Sequence, residues 1–230
     1  MHFPTDLNLL WDASRKCIQL LQDSFQERSL PGWRKSQHWE RRLKVTMRQY
    51  WQIKKSGGKN KSERLLKAAK TYLQIAYDLE EKVMCSIQKL RSEHIPVQVR
   101  KQEQLDYFHT MLIRHIDLIE RRLINGETIP QHDKLFSLFE PYTQWINKGK
   151  TRPSVELGRK VLITTDQFGL ILYSKVMDQT VDQRETIPMI DILLRQYGEH
   201  SFDSISFDKG FSSEEDRALI ALLIPIVVMP

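Results

Sequence analysis

Residues 158–177 read GRKVLITTDQFGLILYSKVM, and the way they fold sets the class of the chain. Two runs rich in strand-forming residues flank Asp166-Gln167-Phe168-Gly169, a four-residue turn, so the stretch predicts a β-hairpin. Downstream, TIPMIDILLRQYG (186–198) predicts a short helix, with Thr186 available as cap, Pro188 in its first turn and Gly198 at its end. SISFD (204–208) follows as a strand, SEEDRALIALL (213–223) as a helix and IVVM (226–229) as a strand. Upstream, KLFSLFEP (134–141) alternates with period two and reads as a further strand. Hairpin, helix, strand, helix and strand make an α/β arrangement.

Before Pro130 the pattern is helical. Leu7, Leu10, Trp11, Ile18, Leu21 and Phe25 form one stripe behind Thr5 or Asp6 as N-cap, and SLPGW (29–33) ends it. A second helix runs to KKSGGKNKS (54–62), whose composition predicts an exposed, mobile linker. A third, with Ser62 as its expected cap, carries Leu66, Ala69, Leu73, Ala76, Val83, Ile87 and Leu90, and stops at EHIP (93–96). A fourth carries Leu105, Phe108, Leu112, Ile116, Ile119 and Leu123, and stops at Asn125-Gly126. Long helices with short breaks predict a bundle or helical hairpins over 1–128, and an α/β part over 129–230. No internal repeat is present.

Charge is unevenly spread. From Arg34 to Lys70 there are 13 Lys or Arg against only Glu40 and Glu63, a local balance of +11. The whole chain is +6, so the remainder carries −5. Such a block, interleaved with Trp39, Tyr50 and Trp51, suits a phosphate backbone, and it is equally what a solvated helical face would look like. The bases singled out as DNA contacts are Arg41, Arg42, Lys44, Arg48, Lys54 and Lys55.

Several chemistries are excluded. NKGKTRP (147–153) ends like a phosphate-binding loop, but Gln144 stands where its leading glycine belongs and Pro153 interrupts the helix that should follow. His109 and His115 are six apart on a helix and face different ways, so they do not share a metal. Cys17 and Cys85 fall in helical patterns and imply no disulfide framework. The N-terminus has no signal-peptide pattern, and the 13-residue apolar run at 218–230 contains Pro225 and is too short to cross a bilayer. A cytoplasmic protein with no membrane partner is expected. Of the acids, Asp166 is a natural turn residue, Asp182 a natural helix cap, and Asp208 stands at a strand end beside Lys209 and Gly210.

VELGRKVLITTDQFGLILYSKVMDQTVDQRETIPMI (155–190) followed by SISFDKGFSS (204–213) resembles the core of the DDE-type transposases of bacterial insertion sequences. KLFSLFEPYTQWINKGK (134–150) and HFPTDLNLLWDASRKCIQLL (2–21) resemble the same proteins. The resemblance implies an RNase H-like fold and three carboxylates that hold Mg2+, with Asp208 as the second acid, both catalytic and a metal ligand. It also implies a partial RNase H-like mixed sheet carrying a large all-α N-terminal segment. In similar transposases the first acid precedes the FPTD segment and the third, a glutamate, lies beyond the strand matching IPIVVMP. The resemblance therefore implies a chain truncated at both ends, with Glu140 and Asp133 matching no ligand and an open edge beside the Asp208 strand. The activity implied is cutting and joining of DNA at insertion-sequence ends, with this chain inactive alone. Lys148, Lys150, Arg152, Arg159, Lys160 and Lys209 are its further expected DNA contacts. Expected partners are DNA (element ends and target), a full-length transposase and a second copy. The alternatives are a non-catalytic DNA-binding regulator of a full-length transposase, and a helical interaction protein unrelated to DNA.

Overall fold

The computed structural model describes residues 5–28, 32–93, 98–147, 154–177 and 182–230, and for 25–28 the backbone alone. Two compact units divide the chain, Met1–Thr143 and Gln144–Pro230. The architecture is mixed α/β, with the long helices first, as the periodicities predict.

The first unit is built on α1 (Asp6–Arg28), α2 (Ser36–Lys55), α3 (Lys61–Ser92) and α4 (Val99–Ile119), the last running on into a π-helical turn, Glu120–Ile124. Leu7, Leu10, Ala13, Cys17, Ile18 and Leu21 of α1 are almost wholly buried, and α1 packs on all three other helices. Thr5 caps it: its Oγ1 accepts the Asn8 amide at 3.3 Å. The first turn of α1 is tied to the end of α4 by the ion pair of Asp6 with Arg122, and to α3 by the buried Tyr72 hydroxyl, which donates to the Leu7 carbonyl at 3.1 Å. Burial drives the Tyr72 phenol far above its usual titration range, so it stays a donor.

Trp33 is 1% exposed, and its indole Nε1 donates to Ser86 Oγ on α3 at 2.9 Å. Gly32, at φ +95°, leaves room for the Lys82 ammonium. A Cβ there would stand 2.8 Å from Lys82 Nζ, which lies 5.2 Å from the centre of the Trp33 ring. Ser62 is not the cap of α3. The helix starts at Lys61, one residue earlier, behind Asn60 in the left-handed region (φ 57°), and no side chain caps it.

KLFSLFEP is not a strand. Leu138 is buried among the helices, Leu135 packs partly against the same core, and the Leu138 carbonyl accepts the Tyr107 hydroxyl of α4 at 2.7 Å. Phe139 lies against Phe108, ring centres 5.8 Å apart. Apolar residues that alternate can equally anchor an irregular segment to a helix face, and α4 offers side chains here, not a backbone ladder. The boundary between the units accordingly falls at 143/144 and not at 128/129.

The second unit starts with β1 (Gln144–Asn147) and β2 (Val155–Gly158), an antiparallel pair, and then β3 (Val161–Thr165) and β4 (Ile171–Val176), the hairpin that GRKVLITTDQFGLILYSKVM predicts. Asp166 holds its turn: Oδ1 accepts the Phe168 and Leu170 amides at 2.9 and 2.8 Å. A 3-10 turn (Asp182–Glu185) leads into α5 (Thr186–Tyr197), then β5 (Ser204–Ser206), a second 3-10 turn (Lys209–Phe211), α6 (Glu214–Ile220) and β6 (Ile226–Val228), which pairs parallel with β5. Thr186 is the first residue of α5 and not its cap, since Glu185 holds that position. Helix α6 ends at Ile220, earlier than predicted, because Pro225 forbids continuation and the preceding residues close into a turn.

The single mixed sheet expected from the sequence is not formed among the described residues, where the strands make three separate two-stranded pairs. They are three to six residues long and each finds one partner. Leu162, Met177, Met189, Ile190, Leu193, Leu194, Ile205, Ile220 and Ile224 form the small core, with α5 at its centre. On the other face of the hairpin Val161, Ile163 and Val176 stay exposed. No described helix is long and apolar enough to cross a membrane.

Two expected outcomes follow from the helical unit. Trp33→Ala removes a fully buried indole and costs about 3–5 kcal/mol of that unit's stability. A urea titration with an unshifted midpoint would contradict it. His115 is fully buried and Nδ1–H donates to the Met111 carbonyl at 2.7 Å. Burial pushes its pKa below 6.5, opposed by that hydrogen bond and by Asp6 and reinforced by Arg114. The unfolded chain therefore binds a proton that the folded one refuses, and stability falls as pH drops below about 6.5, by at most about 1.4 kcal/mol per pH unit. The fall continues until the folded histidine is itself protonated. Unfolding free energies of wild type and His115→Leu between pH 7.5 and 5 should diverge accordingly, and parallel curves would exclude the histidine as the cause.

Candidate functional site

Asp208 lies two residues beyond the end of β5, on the link into the second 3-10 turn. The link is anchored by Phe207, whose ring lies 6.1 Å from that of Phe211, both packed on the small core. Asp208 is exposed, with extended backbone (φ −72°, ψ 156°), and its Oδ1 accepts the Lys209 amide at 2.7 Å. The carboxylate thus caps its own turn, while the Phe211 amide closes that turn on the Asp208 carbonyl at 3.0 Å.

This turn packs on the one that opens with Asp182. A Cβ at Gly210 would stand 2.6 Å from Asp182 Oδ2, so any other residue there must push that carboxylate aside. Asp182 Oδ1 in turn accepts the Lys160 ammonium at 3.0 Å, and Gln183 Nε2 donates to the Ser212 carbonyl. Asp182 and Asp208 therefore flank one turn, but the first is neutralised by a lysine and the second is occupied by a backbone amide. Among the described residues no three His, Cys, Asp or Glu side chains come together as metal ligands. Two-metal phosphoryl chemistry requires several carboxylates to converge on its cations, and the residues described here do not supply that set. Asp166 holds the hairpin turn, and within the first unit Asp133 pairs with Arg121 at 3.4 Å and the Glu140 amide is held by Ser137 Oγ.

The basic block takes a regular form. On α2, Arg41, Lys44, Arg48 and Lys55 fall within a narrow arc of one face, all exposed, over about 21 Å of helix axis. Arg42 is half-buried with its guanidinium 5.4 Å from the Trp39 ring centre, and Lys54 lies 4.9 Å from that of Trp51. Lys44 reaches to 5.9 Å from the Trp11 ring centre on α1. The aromatics of the block belong to the core side: Tyr50 is buried, and Trp39 and Trp51 are half-buried against the helices. They pack, and in doing so they hold basic side chains by cation–π contact.

None of the 13 bases from Arg34 to Lys70 forms an ion pair with another described residue. Elsewhere in the same unit bases are matched: Arg91 with Asp106 at 2.8 Å, Arg122 with Asp6, and Arg121 with Asp117, Glu127 and Asp133. Even Glu40, on α2 itself, forms no ion pair with these bases among the described residues, so one face of α2 is left uncompensated.

Of the expected contacts in the second unit, Lys209 is exposed, Arg159 and Lys160 are half-buried, and Lys160 is engaged by Asp182. Lys148, Lys150 and Arg152 lie outside the described residues. The Lys160–Asp182 pair was not legible in the sequence, since 22 residues separate its members and the two have no common spacing rule. No protein-family model, curated protein or solved structure matches the chain.

The Gly210–Asp182 contact yields a quantitative expectation. Gly210→Ala pushes the Asp182 carboxylate off its place beside Lys160 and destabilises the second unit by about 0.5–1 kcal/mol. Asp182→Ala in the same chain removes the obstructing carboxylate, so the double variant loses less than the two single losses combined. Additive losses in a double-mutant cycle would show that the turns do not meet as described.

Proposed function

We propose that this chain is a DDE-type transposase polypeptide that binds DNA through its helical unit and does not transfer strands by itself. The observation that carries the DNA-binding half is the uncompensated face of α2, where Arg41, Lys44 and Arg48 stand exposed with no described carboxylate paired to them. Clustered bases without internal partners lose little on meeting phosphates and release the counterions that duplex DNA holds. The transposase half rests on the resemblance of the 155–190 and 204–213 segments, and the hairpin and the Asp208 turn are compatible with it. DNA at element ends and at the target, together with full-length transposase or a second copy, are the partners this reading names, and a cytoplasmic location belongs to it.

Mg2+ belongs to the reading only as the family's cofactor. Asp208 alone, already capping a turn, does not make a two-metal site, and no catalytic step is assigned to it here. A second reading, a non-catalytic DNA-binding regulator of a full-length transposase, is favoured by one specific feature: the carboxylate nearest to the Asp208 turn, Asp182, is neutralised by Lys160.

The decisive measurement is fluorescence anisotropy on duplex DNA over a salt series. Affinity should fall linearly on a log–log scale, and Arg41→Gln, Lys44→Gln and Arg48→Gln should each flatten the slope by about 0.9 where a phosphate contact is lost. Binding that ignores salt, or is absent, would refute the proposal and favour a helical interaction protein. With Mg2+ and donor DNA no joined product is expected, and joined product that disappears in Asp208→Ala would overturn the inactive half of the reading.

A further inference from the structure

Between α2 and α3 runs a groove of about 290 Å³ whose walls differ in chemistry. It is lined on the α2 side by Gln49, Gln52 and Ile53 and on the α3 side by Arg64, Lys67, Ala68 and Thr71, with Ile53 and Ala68 as its apolar residues. Arg64 is folded toward the α2–α3 linker, its guanidinium 3.8 Å from where a Gly58 Cβ would stand. Arg64 and Lys67 are exposed, three residues apart on one face, and neither is paired to a described carboxylate. A groove that only separated two packed helices would be expected to close over its apolar residues or to hold ion pairs across its mouth, and this one does neither.

We infer that this groove seats one sugar–phosphate backbone of duplex DNA, with Arg64 and Lys67 on the phosphates, Gln49 and Gln52 as neutral hydrogen-bonding partners, and the sugar faces against Ile53 and Ala68. The inference rests on the DNA-binding reading above and extends its footprint from α2 to α3. Charge complementarity selects the occupant: +11 is concentrated between Arg34 and Lys70, and Glu63 is the only acid of the block that lies on α3. The cations stand in two rows. Arg41 and Arg48 lie on the outer face of α2, Arg64 and Lys67 lie across the groove, and Gln49 and Gln52 fall between the rows. Two rows of cations match the two backbones of a duplex, whereas a single strand would satisfy one row and leave the other idle. Contacts of this kind set position and affinity and read no sequence.

The test uses the full chain and one DNA sequence in duplex and single-stranded form, with anisotropy read across a salt series. Arg64→Gln with Lys67→Gln should weaken duplex binding and flatten the salt slope by about 1.8, two contacts at about 0.9 each, with the melting curve unchanged. Gln49→Ala with Gln52→Ala should weaken binding while leaving the slope intact, because amides displace no counterions. An unchanged slope in the Arg64/Lys67 variant, while Arg41→Gln with Arg48→Gln still flattens it, would overturn the groove and leave the α2 footprint standing. Single strands bound as tightly as the duplex would overturn the choice of occupant. Absence of binding by the unmodified chain would overturn both readings together.

Discussion

The helical unit depends on the burial of α1 from three sides. Its stripe from Leu7 to Leu21 is enclosed by α2, α3 and α4, and polar contacts tie it to each of those elements. Asp6 meets Arg122 at the end of α4, Tyr72 reaches the Leu7 carbonyl, and Ser36 at the start of α2 donates to Gln22 at 2.8 Å. Trp33 then locks the α1–α2 junction onto α3 through Ser86. Apolar enclosure supplies the driving force, since removing such area from water is worth roughly 25 cal/mol per Å². The hydrogen bonds select one arrangement among the many an oily helix could adopt, because a buried donor left without an acceptor is costly.

That arrangement has an electrostatic by-product. With α1 central and α4 drawing acids toward Arg121 and Arg122, the outer face of α2 and the opening turns of α3 keep their positive charge uncompensated. Mutual repulsion among these bases opposes folding. It is tolerated because the side chains are solvated and screened within about 10 Å, and because several rest on Trp11, Trp39 and Trp51. On the proposed reading, the external counter-ions for this surface are the phosphates of a polyanion, which supplies them at high density.

The second unit is organised differently. A nine-residue core around α5 holds three short strand pairs, and large apolar side chains remain on the outside, with Phe168 80% and Leu222 81% exposed. Its polar economy is local: Asp166 supports the hairpin turn, Glu185 takes Lys175 at 2.7 Å, Asp182 takes Lys160, and Asp208 takes its own following amide. Each of these four acids thus has a structural contact of its own within the unit.

Periodicity along the chain was enough to read most of the elements. The four long helices, the DQFG hairpin, α5 with its terminal glycine and the β5 and β6 strands all follow from spacing and turn chemistry, which are local properties. KLFSLFEP failed that reading because alternation records which residues are apolar, not what they meet, and Tyr107 and the helical core met them first. The 143/144 boundary and the breakdown of one sheet into three pairs likewise depend on neighbours remote in the chain. The charge of the basic block was visible in composition, but that its bases lack described partners is a statement about where acids lie in space. The same holds for Asp208: the sequence puts it at the end of a strand over 204–208, whereas β5 stops at Ser206, and only packing brings Gly210 under Asp182 and Lys160 onto the Asp182 carboxylate. Chain connectivity encodes what is near in sequence, and the chemistry of a site is set by what is near in space.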